Sequence, residues 1–147
     1  MGTEWYVYWA ASIALLRTVN DVLILSEKND KSAPHKIKCI EDWIAKTKNT
    51  EDWSYKEKLK NVGDKLLHHY KLGVNERERI NLPFVTDAGD IWVTDAGDRW
   101  VVPGASVPMT ADGFLGQDAP KALQEACEWW DRQLSCIEAC LATRDKA

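Results

Sequence analysis

Residues Thr3 to Ser26 read TEWYVYWAASIALLRTVNDVLILS. Trp5, Trp9, Ile13, Leu16, Val19 with Asn20, and Leu23 recur at the spacing of one helix face. Tyr6, Ala10, Ala14 and Leu15 fill most of the remaining surface, so the predicted helix is apolar nearly all round. Such a helix is buried on more than one side. In a short chain that means a central position or a contact with a second molecule. Arg17 and Asp21 stand four apart and can pair on the helix. They either mark its one polar edge, join a buried network, or belong to a partner surface.

Working outward, the next segments repeat the helical pattern. Glu27 to Ser32 is polar loop, and Pro34 suits the first turn of a second helix ending near Lys46. Its apolar face is Ile37, Ile40, Trp43 and Ile44. A third helix starts near Thr50 or Glu51 with Tyr55, Leu59, Val62, Leu66 and Tyr70 as its stripe. Gly73 after Leu72 reads as its C-cap. Gly63 inside it costs up to about 1 kcal/mol against Ala, which suggests a close helix contact there. The last helix follows Asp118, and Leu123, Cys127, Trp130, Leu134, Ile137 and Leu141 trace nearly three heptads.

Between the third and last helices the pattern changes. Val85 to Trp92 (VTDAGDIW) and Val93 to Trp100 (VTDAGDRW) are two short copies. β-Branched and aromatic residues alternate with Asp-Ala-Gly-Asp turns, which predicts an antiparallel hairpin or meander over about 80–108. The expected fold is therefore mainly α: one domain over 1–147, a four-helix bundle with a small β insertion before its last helix.

The 147 residues carry 19 Lys+Arg against 23 Asp+Glu, a net charge of −4. This mild acidity speaks against bulk nucleic-acid binding, which usually needs a basic face. No uninterrupted apolar run reaches the roughly 18 residues of a membrane span. The first apolar stretch has no basic region before it and no small-residue cleavage pattern after it, so a cytoplasmic protein without a leader is expected. Cys39, Cys127, Cys136 and Cys140 contain no CxxC pair. They are expected to be small buried apolar residues rather than zinc ligands with His68 and His69.

The carboxylates Asp87, Asp90, Asp95 and Asp98 are the only suggestion of a metal site, for a hard cation such as calcium. The calcium-loop spacing is not met, and Asp and Gly are also what tight turns use. No cofactor is expected. There is no G-x-S-x-G, phosphate loop or H-E-x-x-H to suggest an enzyme. Eight Trp residues are high for this length. Most fall on core stripes, which leaves Trp92, Trp100 and Trp53 for a ligand or partner surface, with Arg17 and Asp21 beside them.

Tyr8 to Val19 (YWAASIALLRTV) resembles the opening helix of small bacterial HEPN-like helical proteins, and Leu59-Lys60-Asn61 sits where such proteins often have Leu-Arg-Asn. The resemblance covers the helical half of the chain. It implies a helical fold without the nuclease site, because Lys60 replaces the Arg and His68 lies eight residues away. Three functions compete. The first is non-enzymatic partner binding as a homodimer through the first or last helix. The second is a small-molecule pocket between bundle and insertion. The third is an unorthodox HEPN-like ribonuclease using Lys60, Asn61, His68 and Arg17.

Overall fold

A computed structural model of the chain describes residues 3–75, 80–83, 85–91, 93–98 and 101–144. Among them the chain is mainly helical. Its long elements are α1 (Thr3–Asp21), α2 (Pro34–Thr47), α3 (Glu51–His69) and α4 (Ala119–Arg144). Two short strands, β1 (Ile80–Pro83) and β2 (Val101–Ser106), lie between α3 and α4. The chain divides into two compact units, 1–72 with 123–147, and 73–122.

In the first unit, α1 runs straight into a π-helical turn, Val22–Ser26, and a 3-10 turn, Glu27–Asn29. Its inner face buries Trp9, Ile13, Asn20 and Leu23. Gly63 lets α3 approach so closely that a Cβ built there would lie 2.6 Å from Arg17 Cβ. Trp9 Nε1 donates to the Leu72 carbonyl at 2.8 Å, which ties the start of α1 to the segment just after α3. Trp43 on α2 donates to Gln133 Oε1 at 2.9 Å, and Trp129 donates to Asp52 Oδ1 on α3 at 2.7 Å. Trp43, Trp129 and Trp130 form an aromatic chain, with ring centroids 6.4 Å and 4.8 Å apart. Large rings thus supply core area, and the Trp43 and Trp129 indoles find acceptors while the buried Trp130 Nε1 has none.

Several local expectations change. Tyr70, not Gly73, takes the left-handed cap of α3, with φ 54°. Its N–H reaches Leu66 O, and the next N–H reaches Lys65 O, which closes the helix three residues early. Tyr70 is therefore 90% exposed instead of lying in the core stripe. On α4 the buried face is Ala122, Ala126, Trp129, Trp130, Gln133 and Ile137. The heptad read from the sequence is rotated partly outward, leaving Cys127 exposed and Leu123 and Leu134 half-buried. The cysteines are not all buried apolar residues. Cys39 and Cys140 form a disulfide between α2 and α4, while Cys127 and Cys136 are exposed thiols.

The β-hairpin or meander expected over about 80–108 is corrected. The described residues of the two copies, 85–91 and 93–98, lie in turns and single bridges rather than in strands. Each repeat instead closes on itself. Thr86 N donates to Asp90 O at 2.8 Å, Gly89 N to Thr86 O at 2.8 Å, and Asp90 N to Thr86 Oγ1 at 3.0 Å. Thr94 to Asp98 repeats the same three bonds at 2.7, 2.8 and 3.1 Å. The Thr hydroxyl competes for the backbone donors that a strand ladder would need, so the repeats form turns. The β1–β2 ladder is antiparallel, Ile80↔Ser106 to Pro83↔Val101 with one register irregularity, and both repeats lie between its strands. Beside it, Val74, Val107, Met109 and Phe114 make a small core of the second unit.

Candidate partner-binding surface

α1 has a second face. Tyr8, Ala11, Leu15 and Thr18, with Val22 at the start of the π-helical turn, are all exposed, and they follow one another at three, four, three and four residues. Tyr8 is 72% exposed, Leu15 67% and Val22 47%. This is the seam spacing of a helix that packs against another helix. It lies on the side of α1 opposite Trp9, Ile13, Asn20 and Leu23. The face has no charged side chain. Its two hydroxyl neighbours are already satisfied within the helix: Ser12 Oγ donates to Tyr8 O at 2.8 Å and Thr18 Oγ1 to Ala14 O at 2.9 Å. Drying this surface would leave both of these protons with acceptors and only the Tyr8 phenol to be matched by the occupant.

The exposed face continues into an apolar groove between α1 and α4, with a volume of about 590 Å³. Leu15, Leu16, Val19 and Val22 form one wall, and Leu123, Cys127 and Leu134 the other. The outward part of the α4 heptad thus meets the outward part of α1. With its following turns, α1 also gives a helical run Trp5–Asn29 long and apolar enough to cross a membrane. Its best 18-residue window has a mean hydropathy of 1.3, and 24% of that window is buried. The sequence reading missed this length because Arg17 and Asp21 interrupt the run. In the fold these two are paired with each other, and Arg17 also pairs with Asp64 of α3.

That pairing belongs to a polar cleft between α1 and α3, about 390 Å³ in volume. Arg17 Nε donates to Asp64 Oδ1 at 2.5 Å, and Lys60 lies 3.8 Å from the other Asp64 oxygen. Lys56 is only 4% exposed. Its Nζ lies 2.9 Å from Glu57 Oε1, 3.4 Å from Asn20 Oδ1 and 3.7 Å from the Trp53 ring centroid. Buried ammonium groups persist only when paired and hydrogen-bonded, and this one is. The cleft's charges are thus largely neutralised in place, which makes it a structural network more than a receptor for a charged ligand. Across α3, burial and the Glu125 carboxylate push the Tyr55 phenol above its ordinary range.

The fold brings Arg17, Asp21 and Trp53 together in that cleft. Trp92 and Trp100 lie outside the described residues. Asp87, Asp90, Asp95 and Asp98 are exposed, and among the described residues no three His, Cys, Asp or Glu side chains are grouped to hold a metal ion. Lys60 is engaged by Asp64, while His68 is exposed two turns further along α3, about 12 Å on by helical rise. Sequence reasoning missed the outer seam of α1. The signal was present in the 3–4 spacing from Tyr8 to Val22, but the Trp5–Leu23 stripe on the other side claimed the same helix. No protein-family model matches the chain, nor does any curated protein or solved structure.

Proposed function

We propose that this chain acts by binding rather than catalysis, and that the outer face of α1 is where it binds. The occupant is a second copy, seated helix against helix over the α1–α4 groove. The observation that carries this is the exposed, uncharged seam Tyr8, Ala11, Leu15, Thr18 and Val22. Its spacing fits a helix, and a like copy meets no like-charge repulsion on it. Val7, Tyr8, Leu15 and Val22 together expose on the order of 450 Å², so a symmetric pair would bury about 900 Å² from these side chains, the size of a weak, concentration-dependent interface. The disulfide supports a compartment where such bonds persist and weighs against the cytoplasmic placement expected from the sequence.

The test is the double substitution Leu15→Glu, Val22→Glu. Both side chains are exposed, so helical content by circular dichroism should stay unchanged. Light scattering should give twice 16.7 kDa for the unaltered chain and 16.7 kDa for the variant. A monomeric unaltered chain overturns the reading. So does flotation of that monomer with lipid vesicles, which would assign the seam to a membrane surface.

A further inference from the structure

We propose that Cys136, Cys140 and Cys39 form a thiol–disulfide relay that can untie α2 from α4. Cys140 is bonded to Cys39 of α2 across 101 positions of sequence. Cys136 is a free, exposed thiol on α4. It lies one helical turn before Cys140, so the two share a face with Cβ atoms about 5–6 Å apart, and bonding them requires that turn of α4 to draw in to the roughly 3.5–4.5 Å of a disulfide. Cys140 is itself partly exposed, whereas Cys39 is 1% exposed. The accessible sulfur of the bond is therefore the one that the free thiol adjoins.

The exchange is balanced without an outside oxidant. The Cys136 thiolate attacks Cys140 Sγ, a Cys136–Cys140 bond forms, and the Cys39–Cys140 bond breaks. Cys39 leaves as the thiolate and takes up the proton that Cys136 released. Burial of Cys39 disfavours the charged leaving group, so the Cys39–Cys140 bond predominates and the Cys136–Cys140 isomer accumulates as the minor form. After exchange, α2 is held to α4 by the Trp43–Gln133 hydrogen bond and the 3.0 Å Arg144–Asp42 ion pair. Exposed Cys127 lies more than two turns away along α4 and takes no part.

Trypsin leaves Cys136 and Cys140 within one peptide, Gln133–Arg144, and Cys39 in another, Cys39–Lys46. The two bonding patterns therefore differ by mass. Oxidised full-length chain is held at pH 8, quenched with acid, alkylated and digested without reduction. The relay predicts an internally bonded Gln133–Arg144 peptide together with alkylated Cys39. Both products should be lost in Cys136→Ser and kept in Cys127→Ser. Cys136 is exposed, so circular dichroism should show an unchanged fold in the variant. Only the Cys39–Cys140 cross-link at all times, or alkylated Cys39 that persists in Cys136→Ser, overturns the proposal.

Discussion

At the scale of single residues, small groups decide how close the helices come. Gly63 was readable in the sequence as a misfit in a helix, and its reason is Arg17 of α1, whose Cβ occupies the space a side chain would need. Ala is the better helix former by about 1 kcal/mol. The contact at 2.6 Å involves the base of the Arg17 side chain, which cannot swing away. Overpacking therefore outweighs propensity, and Gly63→Ala should lose about 1–2 kcal/mol in urea unfolding. A gain in stability would show that the two helices do not approach this closely. Lys56 was not legible in this way. A lysine in a polar helix reads as solvated, and only the arrangement of Asn20, Glu57 and Trp53 around it explains its burial.

At the scale of elements, the helices were legible because apolar side chains at three- and four-residue steps need a face to bury. Pro34 marked the start of α2 as the sequence indicated. The repeats were not legible, because alternation and Asp-Gly turns fit both a hairpin and a chain of closed loops. The Thr86 and Thr94 hydroxyls decide between these by taking the Asp90 and Asp98 N–H groups. Gly89 and Gly97 have φ of 89° and 85° and nothing within 4 Å of a built Cβ. Substituting either with Ala should cost only the left-handed backbone penalty, roughly 1–2 kcal/mol within its loop. Equal loss of amide protection at Asp90 in Gly89→Ala and at Asp98 in Gly97→Ala, measured by hydrogen exchange, checks that the loops are equivalent. A loss in one only would contradict it. The heptad on α4 was read partly out of phase: Trp130 and Ile137 are buried as expected, but Ala122, Ala126, Trp129 and Gln133 share the buried face and Cys127 is turned outward.

At the scale of the molecule, the first unit is closed by few but long-range ties. The Cys39–Cys140 bond closes a loop of 101 positions, a constraint that contributes on the order of 4–5 kcal/mol in the chain-entropy account. Cysteine count alone could not reveal it, because pairing depends on how α2 meets α4. The helix apolar on all sides was legible as needing two partners. α3 and the core satisfy one side, and the other remains on the surface as an uncharged seam beside the α4 groove. Whether a second copy covers that seam is best read by hydroxyl-radical footprinting of the unaltered chain across a dilution series. The account predicts that Tyr8, Leu15 and Val22 are protected at high concentration and become reactive on dilution, while Tyr70 and Leu115 react equally throughout. Tyr8 and Leu15 as reactive as Tyr70 at every concentration would contradict it.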